Sequence, residues 1–454
     1  MRNNLWSLCF FSLFTVFGFA QETPVSSQYS FTLDEAIEFA LENSYQSINA
    51  RRDVAKALKQ KWETTATGLP QISAAIDYQN QLKQQPILFP AIDEDTGQPI
   101  DGQFQEFFTP QQQASATATL SQLLFDGSYL VGLEAAKSFL QFSNDSEEKT
   151  LLTVRESVIN AYGSVLVSDE SVKILQNNKE ALEKNYEERK KIFENGLAEE
   201  EDVEQLQITL LQITNQLNNA KRLAKIALQM FNLTIGVDVD SNTVLSDTLD
   251  NLTVKNTDQS LGTKPFMIEN NIDYRLGYLL TEQRRLELKL EKSRALPTLS
   301  AFVNYGTAAF DNDFVFFESE TRWFQSSVLG VSLNIPIFSS LGRSAKTQRA
   351  RIAFEQANTS FIEAQQQIQL QYNSTLSDYQ LSLETYETSK QNLSLAERIE
   401  NKNQIKYTEG LASSFELRQA QLQLYSVQQE VLQAMLTIIN NKAKLESILN
   451  TPKN

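Results

Sequence analysis

The sequence predicts a membrane fold of all-α plus β class, built twice within one chain. Three observations predict it. First, short anchors recur in one order at nearly constant offset. Leu69-Pro70-Gln71-Ile72-Ser73-Ala74 returns as Leu296-Pro297-Thr298-Leu299-Ser300-Ala301, and Leu120-Ser121-Gln122-Leu123-Leu124-Phe125 returns as Leu333-Asn334-Ile335-Pro336-Ile337-Phe338. Gly196-Leu197-Ala198 returns as Gly410-Leu411-Ala412. A unit of about two hundred residues is far longer than the usual solenoid or propeller repeat. Second, each copy holds a pair of segments that alternate with period 2. Third, each holds a proline-free span of heptad-like apolar spacing, several times the length of an ordinary globular helix.

The N-terminus reads as an export leader. Met1-Arg2-Asn3-Asn4 precedes an apolar run from Leu5 to Phe19, which ends in small residues before Gln21. Residues 1–20 are therefore expected to be a signal peptide, followed by a first repeat at 21–237, a linker at 238–266 and a second repeat at 267–454. The single cysteine, Cys9, lies inside the leader, so no disulfide framework is expected in the exported chain. The chain carries 40 basic and 56 acidic residues, a formal net charge of −16. Such a charge argues against nucleic acid or an anionic membrane face as a partner. There is no histidine. Together with the missing cysteine, this removes the usual zinc ligands, general base and thiol nucleophile, so neither an enzyme nor a metal or cofactor site is expected.

The strands come in matched phase. In residues 70–80, Ile72, Ala74, Ile76 and Tyr78 share one face, with Ser73, Ala75 and Asp77 on the other. Their counterparts are Leu299, Ala301, Val303 and Tyr305 against Ser300, Phe302 and Asn304. The partner strands set Ala114, Ala116, Ala118 and Leu120 against Ser115, Thr117, Thr119 and Ser121, and Leu329, Val331, Leu333 and Ile335 against Gly330, Ser332 and Asn334. Segments of about 10–13 residues suffice for a tilted bilayer crossing. Ala-rich apolar faces backed by Ser, Thr and Asn suit lipid on one side and water on the other better than a packed core. Four strands leave open edges that hydrocarbon does not tolerate, so several chains must pool their strands. The connection at 81–113 reads as a solvated surface loop. Its Asp95-Thr96-Gly97 resembles a protease triplet without the apolar strand to bury it, and Asp93 and Asp95 lack the later spacing of a calcium loop.

The helical spans run from Gly127 to Gly196 and from Gly342 to Gly410, each reaching roughly 100 Å if continuous. Val154, Val158, Ala161, Val165, Val172, Leu175, Leu182 and Tyr186 step in threes, fours and sevens. After the turn, Val203, Leu206, Leu210, Ile213, Leu217, Ala220, Ala224 and Ala227 alternate three and four. Leu417, Ala420, Leu424, Val427, Val431, Ala434 and Ile438 repeat the pattern. These predict antiparallel coiled-coil hairpins, with Gly196 and Gly410 as left-handed helix ends. Thr32-Leu33-Asp34-Glu35 predicts a capping box at the first helix.

In this order of elements, with Gly-Leu at each hairpin tip, the chain resembles the TolC-like outer-membrane efflux channel family over residues 29–450. The resemblance implies a homotrimer whose 12-stranded transmembrane β-barrel continues as a 12-helix α-barrel, extending from the outer membrane into the periplasm of a Gram-negative bacterium. It implies a passive export duct of a tripartite efflux or type I secretion system, with a periplasmic adaptor and an inner-membrane pump as partners and outer-membrane lipid around it. The linker would lie at an equatorial belt. Adaptor docking would fall on Gly196, Leu197, Ala198, Gly410, Leu411 and Ala412. Gating would fall on Tyr407 with Asp202, and on a constriction where Glu416 stands for one acidic ring and Gln419 removes the charge of the second, next to Arg418. Ala412 replaces the arginine of a second latch. The acidic tip, Glu199, Glu200, Glu201 and Glu204, is either part of that entrance or a solvated helix start favoured by the dipole. The other reading of the whole chain is a periplasmic or surface coiled-coil scaffold that is not a channel.

Overall fold

The computed structural model describes residues 29–92, 97–258, 261 and 265–450. The expected leader and Asp93, Asp95 and Thr96 lie outside them. Strand β1 (Tyr29–Phe31) and helices α1 (Leu33–Asn43) and α2 (Tyr45–Ala66) lead into β2 (Gln71–Asn80). Strands β3 (Pro86–Ile92), β4 (Pro99–Phe108) and β5 (Gln112–Asp126) follow, then helices α3 (Gly127–Glu194) and α4 (Glu200–Ile235). After β6 (Thr243–Leu245) and α5 (Leu249–Asn256), the order resumes with α6 (Ile272–Ser293), β7 (Thr298–Asp311), β8 (Phe324–Asn334), α7 (Gly342–Thr408) and α8 (Ser414–Leu449). The long helices α3 and α7 have 68 and 67 residues, and α4 and α8 have 36 each.

The chain forms two compact units, and α3 and α7 contribute to both. The first comprises residues up to Ser44, Ser157–Asn256 and Thr388–Ile439. Its core is the coiled-coil seam: Leu175 and Leu182 of α3 pack with Leu206, Ile213 and Leu217 of α4, joined by Val172, Tyr186, Leu210 and Ala220. On α8, Leu417, Ala420, Val427, Val431, Ala434 and Ile438 are all buried. Thr32 caps α1 through the reciprocal box with Glu35. Part of the linker is ordered, because β6 pairs in parallel with β1. The fully buried Tyr162 holds it there. Its hydroxyl lies 3.1 Å from both the Phe31 carbonyl and the Asp247 carboxylate, and accepts from the Asp247 N–H at 3.2 Å.

The second unit comprises Tyr45–Glu156, Thr257–Glu387 and the chain from Asn440 onward. Its sheet has the order β2-β5-β7-β8, antiparallel throughout. Register carries the alternation across all four strands. Ile72, Leu120, Val303 and Leu329 form one row, and Ala74, Ala118, Tyr305 and Ser327 continue on that face. The opposite face carries Ser73, Thr119, Asn304 and Val328, then Ala75, Thr117, Gly306 and Ser326. Gly330 stands opposite Phe302, whose ring occupies the space a Cβ would need. In the same unit, Arg275 of α6 bridges Asp145 and Glu148 of α3 at 2.5 and 2.9 Å, and Lys149 meets Asp273 at 2.6 Å.

Two expectations need correction. Ile335 is not in β8, which ends at Asn334; Pro336 lacks an N–H and restricts the residue before it. The connection at 81–113 is not merely a solvated loop, because β3 and β4 pair within it as an antiparallel hairpin. Ile87, Leu88, Phe89, Phe104, Phe107 and Phe108 supply strand-forming side chains there, and the Pro and Gly content that suggested a loop sits mostly at its edges and turn.

Candidate functional site

The candidate site is the pair of turns that close the two helical hairpins of the first unit. In the first, α3 ends at Glu194 and Gly196 takes φ +75°; in the second, α7 ends at Thr408 and Gly410 takes φ +72°. Each glycine closes a left-handed helix end that an L side chain enters only with strain. The bonding is the same at both. Gly196 and Leu197 N–H donate back to Phe193 and Ile192, and Gly410 and Leu411 N–H donate back to Tyr407 and Lys406. Leu197 and Leu411 then project into solvent, each 79% exposed, while Ala198 and Ala412 are half-buried.

Tyr407 and Asp202 do meet, but through a third residue. Arg189 of α3 donates from Nε to the Tyr407 hydroxyl, with its guanidinium carbon 4.4 Å from the centre of the Tyr407 ring. Its other end reaches the Asp202 carboxylate at 3.5 Å, and the Ser414 hydroxyl also donates to Asp202. One cation thus ties α3 to α4 and α7 at the tips, and Asp202 carries the connection on to Ser414 of α8. Burial pushes the Tyr407 hydroxyl above its ordinary pKa, against the opposing pull of Arg189, so the phenol stays neutral. Arg189 was missed in the sequence because it stands in a charged run, Glu187-Glu188-Arg189-Lys190-Lys191. The seam itself pointed to it: a step of three beyond Tyr186 lands on Arg189.

The other candidates divide. Glu416 is engaged in its own helix start, where its carboxylate accepts from the Ser413 N–H at 2.8 Å and hydroxyl at 3.0 Å, and Ser413 Oγ accepts from the Glu416 N–H. Those two bonds hold Glu416 below the usual carboxylate range. Arg418 lies over the Phe415 ring at 5.3 Å, and Gln419 is exposed. Glu199 occupies the N-cap of α4 without a side-chain cap bond, and Glu200, Glu201 and Asp202 fill its first turn. Glu201 accepts from Gln205 at 2.9 Å, and Glu204 is exposed. Further along the hairpin, α3, α4 and α8 enclose a groove of about 440 Å³ whose lining includes Asn178, Thr209, Gln212, Tyr425 and Gln429.

No group of histidine, cysteine or acidic side chains able to hold a metal ion is found among the described residues. Among them too, no helix is long and apolar enough to cross a membrane.

Against known proteins, the model of the family described as "Outer membrane efflux protein" matches residues 36–237 and 268–451. The chain belongs to the outer membrane efflux protein family. That family is one of channels rather than enzymes, and it places the chain in the outer membrane of a Gram-negative bacterium, extending into the periplasm. No curated protein sequence is significantly similar. Among solved structures, the outer membrane protein VceC from Vibrio cholerae is 16% identical, with 92% of this chain and 95% of that one covered at a TM-score of 0.69. The CmeC outer membrane channel of Campylobacter jejuni is 15% identical, with 92% and 85% covered and a TM-score of 0.71. The open state of the MtrE outer membrane channel of Neisseria gonorrhoeae is 16% identical, with 92% and 88% covered and a TM-score of 0.66. At these identities the likeness is one of fold.

One face of the sheet exposes large apolar side chains. Ile72, Ile76 and Leu329 are 80%, 85% and 76% exposed in the single chain, and they share one face.

Proposed function

We propose that this outer membrane efflux protein is a passive, trimeric export duct of a tripartite efflux or type I secretion system. Three copies of the four-stranded sheet would close a 12-stranded barrel, and the paired helices would continue it as a periplasmic tunnel. The observation that carries this reading is the sheet itself: one mainly apolar face, the other rich in Ser, Thr and Asn, and two edge strands, β2 and β8, without a strand partner among the described residues. Backbone groups left open at an edge are not tolerated in hydrocarbon, and a ring of copies removes every edge. The parallel order and lengths of the two element series support an internal duplication, which would give a near six-fold tube from three chains. Residues 238–266 would lie on the tunnel's outer belt.

At the periplasmic tips, the exposed Leu197 and Leu411 with Gly196, Ala198, Gly410 and Ala412 would dock an adaptor protein coupled to an inner-membrane pump. The Tyr407–Arg189–Asp202 bridge would latch the closed state, and the acidic start of α4 would raise the local cation concentration at the entrance. The duct does no chemistry, so energy enters from the pump. Outer-membrane fractions should contain heat-modifiable trimers that conduct when reconstituted into planar bilayers. A monomeric mature chain that stays soluble without detergent and forms no conductance would sink the duct and favour the scaffold reading.

A further inference from the structure

The hairpin β3–β4 presents an unusual surface. Pro86 pairs with Phe108, Ile87 with Phe107, Leu88 with Glu106, Phe89 with Gln105, and Pro90 with Phe104. Because side chains alternate across a strand pair, one face carries Ile87, Phe89 and Phe107, and the other carries Leu88, Phe104 and Phe108. All six are between 46% and 61% exposed. Phe89 and Phe107 pack edge to face, with centroids 5.4 Å apart. An isolated two-stranded hairpin is marginal in water, and each face of this one exposes three large apolar side chains beside a single polar one, Gln105 on the first and Glu106 on the second. Something must cover both faces.

Position narrows what that is. β2 begins next to α2 and ends at Asn80, so the hairpin hangs from the end of the sheet away from the helices, between the edge strand β2 and its neighbour β5. Its base is fastened. The Gln81 N–H donates to the Gln111 carbonyl at 2.8 Å, and Gln84 Nε2 donates to the Thr109 carbonyl at 2.9 Å. Asn312, in the β7–β8 connection, accepts from the Gln111 N–H at 3.0 Å. In a ring of copies, β2 of one chain lies beside β8 of the next, so the hairpin stands at the junction of two chains.

Lipid is a poor occupant. Glu106 stands between Phe104 and Phe108 on the second face, and a carboxylate facing hydrocarbon is costly. Lipid would also cover one face and leave the other. A cyclic assembly meets both requirements, because each copy has two different neighbours and offers a different surface to each. We propose that the β3–β4 hairpins of adjacent copies pack on one another, the Ile87–Phe89–Phe107 face of one against the Leu88–Phe104–Phe108 face of the next, as a largely apolar collar at the outer end of the duct, in which the Gln105 amide of the first face meets the Glu106 carboxylate of the second, a partner that lipid does not offer. The occupant of each face is a second copy of this chain. This rests on the ring assembly proposed above.

The double variant Ile87→Cys/Phe104→Cys tests it. Cys9 is the only native cysteine and lies in the expected leader, so the introduced thiols stand alone. Within one hairpin they lie on opposite faces and several residues out of register, beyond reach of a disulfide. Mild oxidation of outer membranes should give cross-linked dimers and trimers, and loss of that cross-linking in either single variant. Trimers that stay intact but never cross-link overturn the collar and leave the assembly standing. Cross-linking in a single variant also overturns it, since it would mean like faces meet. Absence of trimers in the wild-type chain overturns the assembly reading itself. Phe107→Trp provides a gentler probe if the double variant fails to assemble. Its added emission should be unaffected by brominated lipid, and quenching would put that face in the bilayer and end the proposal.

Discussion

The two hairpin tips share a backbone and differ in how their second helices begin. Both turn on a positive-φ glycine and both extend a leucine that is 79% exposed. At the second tip, Ser413 and Glu416 close a reciprocal cap on α8. At the first, Glu199 has the extended backbone of an N-cap but no side-chain cap bond, and three acidic residues fill the first turn. One helix start is satisfied by its own side chains. The other has no side-chain cap bond and keeps only the attraction of its carboxylates to the helix dipole. A start without a cap is the cheaper one to rearrange, so in the proposed gate the first tip would be the moving part and the second the fixed stop. Arg189 holds the two together.

Removing that joint should have the largest effect. Arg189→Leu takes away a charge-assisted bond to Tyr407 and the ion pair to Asp202, in a site where the arginine side chain is only 19% exposed. The expected loss is about 2 kcal/mol, roughly thirty-fold in the population of separated tips. Hydrogen exchange should rise at both tips and leak conductance should rise in planar bilayers. Tyr407→Phe and Asp202→Asn should each reproduce part of the leak. If exchange rises in Arg189→Leu while conductance stays put in all three, the bridge is structural and not a latch.

The glycines come next, and here the tips should behave alike. Nothing lies within 4 Å of a Cβ built on Gly196 or Gly410, so alanine costs only the backbone strain, about 1–2 kcal/mol at either position. An unequal response, measured by exchange at each turn in the assembled protein, would show that a neighbouring copy closes on one tip and not on the other. For the caps, Glu199→Ser should supply the missing bond and stabilise the first tip by about 0.5–1 kcal/mol. If the uncapped start serves opening, that variant should also conduct less; unchanged conductance would detach the cap from the gate.

Much of this architecture was legible because it follows from periodicity. Alternation in four segments is enough to place the sheet and its phase, and the three-four spacing of Leu206, Leu210, Ile213 and Leu217 is enough to place the seam. Hidden features arise where a residue's meaning depends on a partner far away in sequence. Arg189 is a seam position disguised by charged neighbours, and only the fold brings Tyr407 and Asp202 to its two ends. The β3–β4 hairpin was masked by Pro86, Pro90, Pro99 and Gly102, which look like loop residues until Ile87 and Phe107 are seen to pair. Glu416 carries two signals, of which the sequence reading took only one. Ser413-Ser414-Phe415-Glu416 spells a capping box, whereas the constriction role is what the family resemblance implies.

That double identity can be resolved, and it gives the smallest predicted effect. Glu416 is held below its ordinary value of 4.5 by the Ser413 N–H and hydroxyl. A lowered folded-state pKa means that the contribution is present above the unfolded value and is lost as pH falls through the folded one. The second tip should therefore begin to fray in acid below about pH 4.5, seen as faster exchange at Ser413 through Leu417. Glutamine at this position still completes the box, so Glu416→Gln should remove the acid dependence and leave the tip closed near neutrality. The same variant removes one negative charge per chain. A fall in cation selectivity with unchanged exchange would mean that the carboxylate serves the entrance as well as the cap. Unchanged selectivity would leave it a cap alone, and the fixed stop of the second tip would then owe nothing to the pore.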